Sequence, residues 1–393
     1  MARAMKLVAA VGMLSLIVST ACGSGTDQPT KTMKISFIGA LTGDFAQLVI
    51  HAANGAELAI EQANAAGGLP VTLTFDRQDS QGSGDKATPI ANQLKDDSEV
   101  VAVIGPAFSG ESLAALPILG QAGIPMVTPS ATNPAVAEVQ DVSGTLWWRA
   151  VGNDFSQGDP APDVITTYLK AKKVYIAHDK SAYGQGLADI VRDNLDDSLE
   201  AGFEGVDPGK KDYSPLVNSI VSSGADTFYW GGYSPEAALI MKQLRDRNSN
   251  VQFLGADGAK DDTFLGGKKA VEGAVLTCPC TDPNALDDEA SKSFVADYTA
   301  KFGVAPGVYG AEGFDAATLV IEAIKKAGEP GDDIKAYRAA VADAIGQTSG
   351  FQGLTKSFAF EDNGELVADS VQIYLYKVEN RKFTFLGNVQ DLI

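Results

Sequence analysis

Histidine and cysteine are nearly missing from this chain, with two His and three Cys among 393 residues. So few ligands exclude a zinc cluster built on repeated Cys and His positions. Basic residues are also scarce: 31 Lys and Arg stand against 50 Asp and Glu, for a net charge of −19. Such a balance excludes nucleic acid as a partner, because backbone binding needs a basic surface. The acidity serves solubility and says little about a ligand, since a pocket sets its own local field. No G-x-S-x-G elbow and no G-x-G-x-x-G turn occurs. That argues against hydrolase and dinucleotide chemistry. His178, Asp179 and Ser181 lie too close along one loop to form a catalytic triad by default. Neither an enzymatic activity nor a cofactor is expected. What the chain does have is length and 45% hydrophobic residues, enough for two soluble α/β domains.

The one long apolar run comes first. Arg3 and Lys6 precede residues 7–18, LVAAVGMLSLIV. Twelve apolar residues are too few to span a bilayer and fit the core of a signal peptide. The string STACG follows and resembles a bacterial lipobox, with Ser19 where an aliphatic residue is usual. The resemblance implies cleavage after residue 21 and lipidation of Cys22. The polar stretch 22–32 then reads as a tether. Export places Cys278 and Cys280 in an oxidising compartment. A local disulfide is expected there, with two buried thiols as the alternative.

From Met33 onward, short apolar runs alternate with helical patterns. KISFIGA (34–40), VTLTFD (71–76), VVAVIG (100–105) and IPMVTP (124–129) read as strands. Between them, 51–66, 84–97 and 110–122 read as helices. The helix over 51–66 puts Ala52, Ala56, Ala59, Ile60 and Ala63 on one face. A pause near LWWRAVGND (146–154) precedes a second unit. Its strands are expected at 173–178, 226–232, 251–257 and 272–277, and its helices at 159–171, 184–195 and 235–247. Helices then return at 286–302, 311–327 and 332–345, before a β-rich tail with a hairpin turn at Asn363-Gly364. This rhythm means two doubly wound α/β lobes with parallel sheets. The return of helices implies that the chain crosses between lobes several times, which makes a hinge with a ligand cleft.

The segments IGALTGDFAQ, NGAELAIEQANAAGG, VIGPAFSGES, MVTPSATNP, AHDKSAYGQGLAD, KDYSPLV, FYWGGYSPE and FLGADG stand in a familiar order and spacing. In these the chain resembles the periplasmic leucine/isoleucine/valine-binding proteins of ABC importers. The resemblance implies the type I periplasmic binding fold, two Rossmann-like lobes joined by three hinge crossovers. It divides the chain into 33–151 with 279–366, and 152–278 with 367–393. It also implies an amino-acid ligand, a membrane permease as partner, and a monomer. An amide or aromatic acid as ligand, or a sensor role beside a membrane receptor, are the alternatives.

An amino acid brings a carboxylate and an ammonium that a closing cleft must satisfy. By resemblance, Ser109 contacts the carboxylate, Ser130 binds through its backbone, and Thr132 faces both charged groups. Asp257 takes the acidic position opposite the ammonium, usually a Glu. Tyr183, Tyr233 and Tyr309 form aromatic walls. Leu48 stands where the family has an aromatic, and Phe108, after Ala107, where it has a small Cys. The side-chain pocket is therefore expected to be apolar but reshaped.

Overall fold

The computed structural model describes residues 31–140 and 146–393. Strands β1 (Thr32–Gly39), β2 (Thr72–Asp79), β3 (Val100–Ile104), β4 (Met126–Thr128) and β5 (Trp147–Arg149) form one sheet. Its order is β2-β1-β3-β4-β5, and every pairing is parallel. The second sheet holds β6 (Val174–His178), β7 (Glu200–Gly205), β8 (Thr227–Gly231), β9 (Gln252–Gly255) and β10 (Val275–Cys278). A small hairpin of β11 (Phe351–Gln352) and β12 (Ser357–Phe358) follows. The last strands, β13 (Tyr374–Glu379) and β14 (Lys382–Asn388), complete the second sheet in the order β14-β13-β10-β9-β8-β6-β7. There β13 runs antiparallel to both neighbours.

Continuous apolar runs make these strands because helices cover both faces. All five residues of β3, β6 and β8 are buried. On the first sheet, the helix Ala46–Ala66 packs along the helix Gly310–Ala327. Glycine makes that contact close: a Cβ on Gly55 would meet Gly310 O, and one on Gly313 would meet Ala52 O. A methyl at either position costs about 1–3 kcal/mol of overpacking. The apolar face of the first helix is as the periodicity predicts, with Ala52, Ala56, Ala59 and Ile60 buried.

The chain passes between the sheets three times. It leaves the first sheet after β5 and returns after β10. There the helices Glu289–Phe302, Gly310–Ala327 and Ile334–Gly346 join the first lobe. It leaves again between β12 and β13.

Several elements differ from expectation. β5 is a strand although its run is broken by Arg149. β7, EAGFEG, is an edge strand with no fully buried residue, so no apolar run announces it. The helix expected over 159–171 is a turn at Ala161–Asp163 followed by a π-helical turn at Val164–Tyr168. Pro160 and Pro162 remove two N–H donors from that stretch. The turn at Asn363-Gly364 does reverse the chain, with Glu361 N donating to Glu365 O at 2.8 Å and Phe360 bridging Leu366, while β12 before it pairs back with β11. A second, tighter hairpin lies at Asn380-Arg381, where φ is 54° and 62° and β13 joins β14. Cys278 and Cys280 form a disulfide, buried where the chain leaves β10. Among the described residues, no group of His, Cys, Asp and Glu is placed to hold a metal. No described helix is long and apolar enough to cross a membrane. Residues 1–30, with Cys22, lie outside the described residues.

Candidate functional site

In each sheet the strand order reverses once beside a central strand, at β1/β3 in the first and β6/β8 in the second. Loops leaving the carboxyl ends of strands at such points form ligand crevices. The loops and first helical turns after β1 and β3 carry Leu48, Ala107, Phe108 and Ser109, and those after β6 and β8 carry Tyr183 and Tyr233. One step outward, the loops after β4 and β9 carry Ser130, Thr132 and Asp257. The two crevices face each other. Leu48, Ala107, Phe108, Ser109, Ser130, Tyr183, Tyr233 and Asp257 line one small cavity of about 10 Å³. That is room for about one water molecule.

The first lobe presents an anion-binding end. Ser109 opens the helix Ser109–Gln121, whose first N–H groups have no intrahelical acceptor. Its buried Oγ accepts only a long bond from Asn133 N, at 3.3 Å. Ser130 Oγ donates to Ala107 O at 2.8 Å, and Ser130 N donates to Thr128 Oγ1 at 3.4 Å. That leaves its carbonyl as the group it can offer. Thr132 Oγ1 is buried without a hydrogen-bond partner. Behind this wall, Glu111 accepts from Phe108 N at 3.2 Å and from the Ser80 hydroxyl. Burial pushes the Glu111 carboxyl up to about 7.

The second lobe presents an acid. Asp257 is buried and accepts from Gln157 Nε2 at 2.6 Å, Tyr183 OH at 2.8 Å and Tyr309 OH at 2.5 Å. Burial raises its carboxyl against the pull of those donors. Tyr309 comes from the first lobe and holds φ at 59°, a left-handed backbone that places its hydroxyl across the seam. Tyr183 OH also accepts from Gly258 N at 3.0 Å. Close by, the carboxylate of Asp154 is buried and neither oxygen has a hydrogen-bond partner.

Aromatic rings fill the space between the two ends. Tyr233 stands at the centre, 5.1 Å from Phe45, 5.4 Å from Phe108 and 5.2 Å from Tyr183 between ring centroids. Phe45 and Phe108 belong to the first lobe, so these contacts cross the cleft, as does the bond from the Asn133 amide to Ala182 O. Asp79 fixes the loop that carries Phe45, accepting from Leu41 N at 2.9 Å and Thr42 N at 3.3 Å.

The structure brings eight of the ten residues named above onto one cavity wall; Tyr309 joins them through its bond to Asp257, and Thr132 lies on the same loop as Ser130. The sequence reading missed Phe45, Asp154 and Gln157. Phe45, three residues before Leu48, packs its ring on Phe108 and Tyr233. Asp154 follows the helix cap Asn153 and reads locally as an ordinary helix-start acid. Arg149 was also missed, although a lone Arg in LWWRAVG is a signal of a buried clamp. It donates to Glu365 at 2.9 and 2.7 Å, Ala131 O at 2.6 Å and Asn133 O at 3.2 Å. It thereby shapes the loop that bears Ser130 and Thr132. The His178 loop shows no triad. Ser181 caps a helix and donates to Asp179 at 2.6 Å, while His178 turns to the Phe203 ring.

A family model described as periplasmic binding protein matches residues 32–382. A leucine-, isoleucine-, valine-, threonine- and alanine-binding protein from Pseudomonas aeruginosa is 31% identical, covering 87% of this chain and 89% of its own length. An amino acid binding protein from the same organism is 36% identical, covering 70% of this chain and 74% of its own. Among solved structures, a leucine-binding protein from Thermotoga maritima matches with TM-score 0.81 and 27% identity, over 91% of this chain and 98% of that one. A branched-chain amino acid transporter substrate-binding protein from Streptococcus pneumoniae, solved with isoleucine, matches with TM-score 0.80 and 25% identity, over 91% and 100%. With its two switch-point crevices closed on one cavity, the chain belongs to the periplasmic binding proteins, in the non-enzymatic leucine/isoleucine/valine-binding family.

Proposed function

We propose that this chain is an extracytoplasmic lipoprotein that captures an amino acid, branched-chain or similar, and delivers it to the permease of an ABC importer. One observation carries the reading. A helix start bearing Ser109 and a buried acid, Asp257, flank a single aromatic cavity at the seam of two lobes. A zwitterion needs both ends; a simple carboxylate needs only the first. In this reading the ligand carboxylate sits on Ser109 and the first N–H groups of its helix. The ammonium sits among the Ser130 carbonyl, Thr132, Asp154 and Asp257. The ligand side chain displaces the rings of Phe45, Phe108 and Tyr233, so entry requires the lobes to part. The parting bodies are 33–151 with 279–366, and 152–278 with 367–393.

Calorimetry tests this with L-leucine, L-isoleucine, L-valine and L-alanine, each compared with its analogue lacking the amine. Binding of at least one amino acid, with a loss of about 100-fold or more on removing the amine, is the expected outcome. Equal affinity for leucine and 4-methylpentanoate overturns the zwitterion reading. The anchor is tested separately: Cys22→Ala is expected to move the protein from the membrane fraction to the soluble one. Continued membrane association of that variant refutes lipidation at Cys22.

A further inference from the structure

We propose that Asp154 is a second anionic contact for the ligand ammonium and that it releases a proton when the ammonium arrives. This rests on the amino-acid reading above. The geometry supplies the reason. Asp154 opens the short turn Asp154–Gly158 in the first crossing between lobes, and its backbone N–H donates to Thr132 O at 2.9 Å. Gln157, three residues on and so on the same face of the turn, donates to Asp257. One turn therefore ties together two buried carboxylates that repel each other, and both cannot be ionised without a counter-cation. Asp257 has three donors and is the anion. Asp154 has no donor in full hydrogen-bond geometry, only the Thr132 hydroxyl beside it, so the proton sits on it.

The surrounding charges agree. Burial first, and then the charge of Asp257, hold the Asp154 carboxyl up at about 8. Glu365 adds repulsion. Thr132 and Arg149 oppose only in part, and Arg149 already donates to Glu365 and two carbonyls. The tyrosines that face Asp154 are Tyr183, Tyr229, Tyr233 and Tyr309. Burial keeps each well above the ordinary phenol range, so none supplies charge near neutral pH.

An arriving ammonium reverses the balance. The Asp154 O–H bond breaks, the proton passes to water, and carboxylate and ammonium remain as a pair. The sign follows from linkage. The empty protein holds the proton up to about pH 8, and the liganded protein does not. Affinity therefore rises with pH, by up to about tenfold per unit between about pH 6 and 8, and levels above that. Glu111 and Asp179 also titrate in this range, at about 7 and about 6, behind Phe108 and Tyr233. Their contribution persists in Asp154→Asn, so the difference between the two proteins isolates Asp154.

Two measurements decide. Carboxyl-carbon NMR of aspartate-labelled protein, with Asp154 assigned by its loss in Asp154→Asn, follows the group directly. A midpoint near 8 without ligand, falling below about 6 with saturating L-isoleucine, supports the proposal. A ligand-free midpoint below about 5 overturns it, whatever binds. Calorimetry of L-isoleucine at pH 7, in phosphate and in Tris, counts protons. Release close to one proton in wild type and near zero in Asp154→Asn supports it; no release in wild type overturns it. Failure to bind any amino acid in either protein overturns the amino-acid reading instead, and the NMR midpoint still decides the proton.

Discussion

The two lobes meet one cavity with opposite chemistry. The first offers dipoles: a helix start, the Ser109 and Thr132 hydroxyls and the Ser130 carbonyl. The second offers a formal charge, Asp257, held by Tyr183 from its own lobe and Tyr309 from the other. Dipoles at a helix start receive an anion without placing a fixed charge there. A compact ammonium in a dry pocket needs a real counter-charge. Neither lobe alone satisfies a zwitterion. Closure is therefore stabilised by a ligand that carries both ends and opposed by one that leaves either end unmet.

The contrast is easiest to break on the charged side. Asp257→Ala is expected to weaken binding on the order of 100-fold or more by calorimetry, since it strands a buried ammonium. An unchanged affinity would remove the second lobe as the cation arm. Ser109→Ala removes one hydroxyl and leaves the helix N–H groups, so a smaller loss, about tenfold, is expected. A loss equal to that of Asp257→Ala would mean that the dipole side carries as much as the charge. Tyr309→Phe cuts the one hydroxyl that reaches Asp257 across the seam. A loss of about tenfold or less is expected, with a larger radius of gyration of the ligand-free protein in small-angle scattering. Phe45→Ala is expected to change L-isoleucine affinity only a few-fold and to improve L-phenylalanine binding. Ring removal without any shift in side-chain preference would show that Phe45 does not set the pocket's size.

The sequence reads well where structure is periodic. The strands at 34–40, 100–105 and 173–178 were legible because burial on both faces leaves short, mostly apolar runs. β7 was not, because an edge strand with half-exposed residues carries no such pattern. At the site, loop residues after strand ends were legible by their order along the chain. Asp154 was not: its local setting is that of a helix start, and only the folded structure buries it beside Asp257. Phe45 was hidden for another reason. Its ring packs on Phe108 and Tyr233 of the cavity wall from a loop that Asp79, distant in sequence, fixes at Leu41 and Thr42.

The Arg149–Glu365 pair has a mechanical consequence. Arg149 ends β5 at the first crossing, and Glu365 stands just before the third. Lys356 Nζ adds a bond to Ala150 O at 3.0 Å, again joining the third passage to the first. Glu312, on the helix Gly310–Ala327, accepts from Thr281 N at 2.6 Å and anchors the second passage to the same body. All three straps are therefore pinned to the first lobe by side-chain bonds close to where they leave it. Straps sharing one mounting are mechanically in parallel, so a bond cut in one leaves its load on the other two.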